Sequence, residues 1–261
     1  MKIFKDIFEW KKYRQTLPRK KSLGVVMTMG ALHAGHFSLI EESKSNNDYT
    51  LATIFLNPTQ FNNTEDLNRY PKTWQQDIEA LEKLNVEFLL APYYEQIYPD
   101  NYRYNISENN FSKILCGKSR PGHFDGVLTV VMKLLQLAKA DRAYFGEKDY
   151  QQYHLIKGMA EAFFLETDII SCKIVREKDG LAMSSRNLRL TDQGRKLASL
   201  YANLIRENLP INTIKNKLEC NNIAVVFLEE HFGRRFTAVM IEDIRLIDNF
   251  DLKEIKTIKN K

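Results

Sequence analysis

Short apolar runs alternate with helical patterns along the first two-thirds of this chain. In one helical segment, residues 73–84, the side chains of Ile78, Leu81 and Leu84 would form a single stripe. Alternating strands and helices are typical of a parallel sheet with helices on both faces. The predicted strands are residues 23–29, 51–56, 87–91, 142–145 and 169–175, and the predicted helices are residues 37–45, 73–84, 126–138 and 151–164. We therefore predict an α/β fold whose ligands bind beyond the carboxyl ends of the strands.

The pattern changes near residue 173. A polar loop over residues 176–189 precedes an amphipathic helix that is predicted from about Thr191 to Asn208, and Pro210 marks its end. Two β-like runs follow, at residues 223–228 and 237–241. We therefore predict two domains, a larger α/β domain at residues 1–173 and a smaller α+β domain at residues 174–261.

The composition allows a sizeable core, because 44% of the 261 residues are hydrophobic and 27% are charged. No apolar run approaches the roughly eighteen residues of a membrane span. The N-terminal segment mixes charges with apolar residues and lacks the continuous core of a signal peptide. Ile3, Ile7, Trp10 and Tyr13 are spaced as the packing stripe of one helix. A cytoplasmic protein without a membrane partner is expected.

Three cysteines, Cys116, Cys172 and Cys220, lie far apart and form no CxxC pair, so we expect reduced thiols. The net charge is +5. Attraction for small anionic substrates and a weak affinity for nucleic acid both fit that charge. The basic residues are not interleaved with aromatic residues, so nucleic acid is not the expected partner. Part of the excess positive charge lies in the C-terminal tail, at Lys253, Lys256, Lys259 and Lys261.

Two histidines and two glycines lie between the first predicted strand and its helix, in the sequence MTMGALHAGH at residues 27–36. His33 and His36 are three residues apart at the helix start, so their imidazoles are predicted on one face. Unpaired N–H groups in a first helical turn favour an anion. The segment predicts a site for a nucleotide phosphate, and the alternative is a Gly-containing turn with structural histidines.

Polar side chains also follow two other strands. In FLNPTQF, Asn57 and Gln60 could bind a substrate with hydroxyl and carboxylate groups, although Asn-Pro is also ordinary turn chemistry. In YFGEKDYQQ, Lys148 suits phosphate oxygens and Asp149 suits a ribose hydroxyl or a hydrated magnesium ion. The alternative for Asp149 is a helix N-cap.

Two further segments carry candidate anion-binding groups. AMSSRN, residues 182–187, offers two hydroxyls and Arg186, which suit a triphosphate, or else a capping serine pair and a surface arginine. RPGHFDGV, residues 120–127, places Arg120 and His123 on a turn before a helix, where they could touch an anion or shape the turn. Each segment is weak alone, but all lie at strand ends, helix starts or the domain junction.

These segments together, with NRYPKTWQQD, the extension of RPGHFDGV to RPGHFDGVLTVVMKLL, and IRLIDN, resemble the pantoate–β-alanine ligase (pantothenate synthetase) family in order and approximate spacing. HAGH alone would indicate only the wider nucleotidylyltransferase superfamily. The resemblance covers residues 23–250 and implies a Rossmann-like doubly wound parallel sheet with a smaller α+β C-terminal lid domain. It also implies a reaction in which pantoate and ATP give a pantoyl adenylate and pyrophosphate, and β-alanine then gives pantothenate and AMP. Magnesium and a homodimer are implied as well.

The resemblance also implies roles for individual residues. His36 matches the family's proton donor, and His33, Lys148 and Arg186 are the other expected catalytic residues. Gln60, Gln152 and Asn57 are expected to bind pantoate, with Gln60 also near β-alanine. No residue is assigned as a magnesium ligand. The expected ATP-binding residues are Met29, Gly30, Ala31, Leu32, His33, Ala34, Gly35, His36, Gly146, Glu147, Lys148, Asp149, Val175, Met183, Ser184, Ser185 and Arg186.

Some positions depart from the family pattern. Met27 stands where the family usually has proline, and Glu242 and Asp243 replace a smaller segment before IRLIDN in a compact second domain. Two other functions are alternatives. A related nucleotidylyltransferase or RNA-linked synthetase fragment would carry a basic RNA-binding appendage, and no such patch is evident. A catalytically silent binding protein would have lost a charged site residue such as His36, Lys148 or Arg186, and all are present.

Overall fold

The computed structural model describes residues 1–257, so Lys259 and Lys261 lie outside the described residues. The chain forms two compact units. The first contains Met1–Glu147 and Gln151–Lys173, and the second contains Lys148–Tyr150 together with the residues from Ile174 onward. A short stretch in the middle of the chain therefore belongs with the C-terminal part, which a single boundary after residue 173 does not describe.

The first unit is built on a parallel sheet. Its strands are β1 (Lys2–Phe4), β2 (Leu23–Thr28), β3 (Tyr49–Ile54), β4 (Phe88–Leu90), β5 (Arg142–Gly146) and β6 (Asp168–Cys172). Their spatial order is β1-β4-β3-β2-β5-β6. From β2 the chain adds β3 and β4 on one side, then returns to add β5 and β6 on the other side. The order reverses between β2 and β5, and ligands of doubly wound sheets bind at such a point. The predicted Rossmann-like doubly wound sheet is confirmed.

The helices of this unit cover the sheet. They are α1 (Ile7–Arg14), α2 (Ala34–Asn46), α3 (Thr64–Asn68), α4 (Trp74–Lys83), α5 (Tyr94–Ile97), α6 (Cys116–Ser119), α7 (His123–Ala138) and α8 (Tyr150–Ala162). α7 is buried on most of its surface, as expected for a helix that is apolar nearly all round. The predicted N-terminal stripe is wrong at Ile3, which lies in β1 opposite Leu89, whereas Ile7 and Trp10 are buried on α1. Within residues 1–257, no helix is long and apolar enough to span a membrane.

The second unit is α+β, as predicted. Its elements are α9 (Asp192–Leu204), α10 (Ile211–Cys220), β7 (Ala224–His231), β8 (Arg234–Ile241), β9 (Ile244–Asp251) and α11 (Leu252–Thr257). The antiparallel sheet has the order β7-β8-β9, and the apolar core includes Tyr201, Ile214, Leu218 and Val239. The helix predicted to reach Asn208 ends earlier, and α10 and β9 were not predicted.

Two of the departures from the family pattern have a clear place in the structure. Met27 lies within β2 opposite Thr53 of β3. Glu242 lies in the turn between β8 and β9, where its carboxylate accepts hydrogen bonds from the Thr191 N–H and hydroxyl at the start of α9. Glu242 therefore ties this turn to the N-terminus of α9.

Candidate active site

Strands β2, β3 and β5 are parallel, so their carboxyl ends lie at one edge of the sheet. The turn after β2 and the loop after β3 meet there, because Gln60 Nε2 lies 3.3 Å from the Met29 Sδ. Both segments were predicted as binding loops from separate motifs. The structure brings them together at the place where a doubly wound sheet binds its ligands.

The turn after β2 uses its own backbone donors. The N–H groups of Gly30, Ala31 and Leu32 donate to Thr28 Oγ1 and to the two oxygens of Asp77. The N–H groups of residues 33, 35, 36 and 37 donate to acceptor atoms of His33 or His36. Among residues 30–37 of the described chain, only the Ala34 N–H donates to none of these groups. The predicted anion site therefore cannot rest on a row of unpaired N–H groups, since that of Ala34 is the one left among these residues.

The two histidines cap α2 reciprocally. His33 is the N-cap, and its Nδ1 accepts from the Gly35 N–H at 3.1 Å, while His36 Nδ1 accepts from the His33 N–H at 3.3 Å. Their ring centroids are 4.2 Å apart. A neutral imidazole that accepts at Nδ1 carries its proton on Nε2. The cap thus fixes both histidines as Nε2–H tautomers, which can donate to an anion.

The loop after β3 is organised around Asn57, which is 1% exposed. Its Nδ2 donates to Gln60 Oε1 at 3.0 Å and to the Gly126 carbonyl, and its Oδ1 accepts from the hydroxyls of Thr59 and Tyr98. Burial raises the pKa of Tyr98 to about 12, so this phenol stays a neutral donor. Asn57 is therefore placed to orient Gln60.

Arg120 and His123 also hold Gln60, through its backbone. His123 Nδ1 lies 2.7 Å from the Gln60 carbonyl oxygen, and an Arg120 Nη2 donates to the same oxygen. Arg120 Nη1 lies 3.0 Å from His123 Nε2. This pattern fits a neutral His123 that donates from Nδ1 and accepts at Nε2. Of the two interpretations from the sequence, these contacts support a shaping role.

The GEKD turn follows β5 directly. Gly146 ends the strand and Glu147–Asp149 form one 3₁₀ turn before α8. Lys148 Nζ lies 3.6 Å from an Asp149 carboxylate oxygen, and the Lys148 side chain is 22% exposed. Gln152 is half-buried on the first turn of α8, whereas its neighbour Gln151 is buried and bonds to the backbone of residues 111, 114 and 116.

The loop carrying MSSRN is folded back on itself in the second unit. The Met183 N–H donates to the Val175 carbonyl, and Arg176 forms a β-bridge with Ala182. Ser184 caps a 3₁₀ helix, Ser185–Arg189, by accepting from the Arg186 N–H at 3.2 Å. The capping interpretation is therefore correct for Ser184. Ser185 and Arg186 are half-buried on that helix.

Sequence reasoning missed the supporting role of Asp248 and Asn249 on β9. Asn249 Nδ2 donates to the Lys148 carbonyl at 3.0 Å, and its Oδ1 accepts from Arg234, whose guanidinium stacks on Tyr150. Buried Asp248 binds Arg176 through two hydrogen bonds of 2.7 and 3.0 Å. Burial raises the pKa of Asp248, and Arg176 opposes that rise. Both residues lie in the motif IRLIDN, which is the sequence signal that marks them.

Within residues 1–257, no group of three or more histidine, cysteine or acidic side chains could hold a metal ion. Magnesium usually keeps several waters and takes one or two carboxylates plus substrate phosphates, so it does not need such a group. Asp149, whose side chain is 47% exposed, supplies a carboxylate of that kind at the GEKD turn.

Comparisons with known proteins agree with this geometry. The family model described as pantoate-beta-alanine ligase matches residues 2–251. The pantothenate synthetase of Legionella pneumophila (strain Lens) is 50% identical over 96% of this chain and 99% of its own. That of Coxiella burnetii (strain Dugway 5J108-111) is 49% identical over 98% of each chain.

Solved structures show the same relationship. A pantoate-beta-alanine ligase from Francisella tularensis, in complex with beta-gamma ATP and beta-alanine, superposes with a TM-score of 0.93 at 42% identity, over 97% of this chain and 98% of that one. A pantothenate synthetase from Thermus thermophilus gives a TM-score of 0.87 at 33% identity, over 97% and 99%. The chain therefore belongs to the pantoate–β-alanine ligase family.

Proposed function

We propose that the chain joins pantoate to β-alanine in two steps through an enzyme-bound pantoyl adenylate. In the first step, a carboxylate oxygen of pantoate attacks the α-phosphorus of ATP and pyrophosphate leaves. In the second step, the β-alanine amine attacks the acyl carbon, AMP leaves with the electron pair of the broken C–O bond, and the amine releases a proton. No protein nucleophile is consumed, so the residues act by positioning and charge stabilisation.

The contact between Gln60 and Met29 carries this proposal, because it joins the predicted pantoate-binding loop to the predicted ATP-binding turn. In that turn we assign phosphate binding to the Nε2–H groups of His33 and His36, with His36 as the proton donor. The remaining residues of the turn shape it, since most of their N–H groups donate within the protein. Those shaping residues are Met29, Gly30, Ala31, Leu32, Ala34 and Gly35.

The other expected ATP-binding residues follow β5 or lie in the second unit. Lys148 and Arg186 are assigned to the negative charge that develops on the phosphates. Gly146 and Glu147 provide the turn that leads to Lys148, and the folded-back loop presents Arg186. The remaining assignments to ATP are Asp149, Val175, Met183, Ser184 and Ser185.

Gln60 and Gln152 are assigned to pantoate, with Gln60 also near β-alanine. Both are half-buried and both lie on segments that follow strands of the parallel sheet. Asn57 differs from them, because its amide is buried and bonded to Gln60, Gly126, Thr59 and Tyr98. We therefore assign Asn57 to orienting Gln60 instead of touching pantoate.

Magnesium is assigned as a companion of ATP, bound mainly by the phosphates. It would neutralise part of their charge. Asp149 is the side chain at the GEKD turn with the chemistry to hold one of its waters.

We further propose that the chain is a cytoplasmic homodimer, as the family resemblance implies. Within residues 1–257, Cys116, Cys172 and Cys220 are not joined in disulfides, which suits a reducing compartment. Light scattering on the purified protein should give twice the 30.5 kDa mass of one chain. A monomer mass across the concentration range would contradict the dimer.

An assay with purified protein, ATP, magnesium, pantoate and β-alanine tests the activity. AMP, and pyrophosphate beyond one equivalent per enzyme molecule, should form only when both pantoate and β-alanine are present. Absence of that double dependence would remove the proposal.

The adenylate itself is tested by isotope transfer. Pantoate labelled with ¹⁸O in its carboxylate should deliver one labelled oxygen to AMP, because that oxygen bridges to the α-phosphorus in the intermediate. Pantoate should also support exchange of labelled pyrophosphate into ATP without β-alanine. Unlabelled AMP would show a route without the adenylate.

A further inference from the structure

Asp77 is a buried carboxylate in contact with the turn after β2. It lies on α4 and is 3% exposed. Its Oδ2 accepts from the Ala31 N–H at 3.0 Å, and its Oδ1 accepts from the Leu32 N–H at 2.8 Å. The Thr73 hydroxyl donates to Oδ2 at 3.1 Å. Both carboxylate oxygens are therefore committed to neighbouring groups, two of them consecutive backbone donors.

The turn that Asp77 holds has an unfavourable backbone. Gly30 has φ of 82° and Ala31 has φ of 52°, and alanine rarely adopts the left-handed region. A Cβ on Gly30 would lie 3.1 Å from Asp77 Oδ2, so the carboxylate packs directly on the turn. Two hydrogen bonds from one carboxylate fix the orientation of successive peptide groups. His33, the N-cap of α2, follows immediately.

The negative charge of Asp77 is unfavourable for binding an anion at the neighbouring turn. A carboxylate close to a turn proposed to hold a polyphosphate would repel the ligand. Two backbone donors and one hydroxyl compensate for its burial. Those donors are then withdrawn from any phosphate. The carboxylate thus stabilises the conformation of the turn, although its negative charge repels a phosphate.

We infer that Asp77 is a positioning residue of the ATP site, which holds the backbone of Ala31 and Leu32 so that His33 and His36 lie where the phosphates need them. It acts without contacting ATP. This inference rests on the proposed role of the turn in ATP binding.

The test compares Asp77→Asn with Glu79→Gln, an exposed residue on the same helix that removes the same charge. Asparagine keeps the shape but presents one oxygen acceptor, and its amide N–H groups face the other backbone donor. We expect Asp77→Asn to raise KM for ATP at least tenfold, with KM for β-alanine changed less than twofold. Glu79→Gln should resemble the wild type.

A second measurement uses the unmodified protein, in case Asp77→Asn does not fold. The amide hydrogens of Ala31 and Leu32 should exchange slowly without ATP, and a non-hydrolysable ATP analogue should leave their protection within a factor of about two. Rapid exchange that becomes slow with the analogue would overturn the inference, because those amides would then bind the ligand.

The outcomes separate the two proposals. If the wild type binds no ATP, the proposed function fails. If the wild type binds ATP and a folded Asp77→Asn protein has the same KM for ATP, the positioning role fails. Equal increases in the KM values for ATP, pantoate and β-alanine would indicate a general structural role of Asp77 and would also overturn the positioning role.

Discussion

At the level of single residues, the two nitrogens of each imidazole in the turn after β2 have separate tasks. Nδ1 of His33 and of His36 accepts a backbone N–H and so stabilises the start of α2. Nε2 then carries the proton that the proposed mechanism uses. A substitution that preserves one task and removes the other distinguishes them.

His36→Asn and His36→Ala make that comparison. The asparagine oxygen can replace Nδ1 as the acceptor for the His33 N–H, but neither variant has an Nε2–H. We expect both to slow adenylate formation by about a hundredfold, as loss of one transition-state donor does. Only His36→Ala should also lose about 1 kcal/mol of folding stability through the cap. Near-wild-type rates in either variant would contradict the assigned role of His36.

Tyr98 gives a prediction on pH dependence. Burial raises its pKa to about 12 in the folded protein, whereas a phenol in the unfolded chain ionises near pH 10. Its contribution to stability is fully present below pH 10 and is lost as the pH rises from about 10 to 12, because the unfolded chain loses the proton first.

Tyr98→Phe should therefore flatten the fall in the free energy of unfolding above pH 10, by at most about 1.4 kcal/mol per pH unit. The variant should also raise KM for pantoate, since Asn57 loses a hydrogen-bond donor that orients it. Urea unfolding at pH 9 to 11.5 measures the first effect. Parallel curves for the two proteins would show that Tyr98 does not ionise on unfolding.

At the level of elements, α7 packs against the loop that carries Gln60, and the contact is made by Gly126. A Cβ on Gly126 would lie 2.5 Å from the Thr59 carbonyl oxygen and 2.8 Å from the Gln60 Cα. Gly126→Ala must therefore displace the loop or the helix. We expect a loss of about 1–3 kcal/mol in stability, as in overpacked cores, and a higher KM for pantoate.

Gly158→Ala is the matched control. Gly158 lies on α8, and a Cβ added there would have no atom within 4 Å, so alanine should stabilise the protein by up to about 1 kcal/mol. Thermal melts and initial rates check both variants. Similar melting temperatures and rates for the two variants would show that the close contact of Gly126 with Thr59 does not restrict the side chain at that position.

Elements with regular apolar patterns were predictable, and the others were not. The helix at residues 73–84 and the strand at residues 23–29 fall within a residue of α4 and β2. β9 was missed because Asp248 and Asn249 interrupt its apolar alternation, although both are buried. β1 has three residues, too few to show a period.

The residues of the candidate site were also only partly predictable from the sequence. The position of His33 and His36 between a strand and a helix start marks them as candidates, whereas the role of Gln60 is implied by the family resemblance. Asp77 could not be inferred, since it is 46 residues from Ala31 in sequence and only the packing of α4 brings them together. Tertiary contacts of this kind leave no local periodicity.

At the level of the whole molecule, the two units have separate apolar cores. We expect two overlapping transitions in calorimetry, with a calorimetric enthalpy larger than the van't Hoff enthalpy. The ratio of the calorimetric enthalpy to the van't Hoff enthalpy is measured on the protein without ligands. Repeated scans control for irreversible aggregation. A ratio of one would show that the units unfold together.

The membership of Lys148–Tyr150 in the second unit bears on recombination between relatives. A chimaera joined after residue 173 would combine Lys148 and Tyr150 from one parent with Asn249 and Arg234 from the other, although these residues contact one another. Exchanging the second unit as a module therefore requires three crossover points, with the tripeptide transferred along with the C-terminal segment.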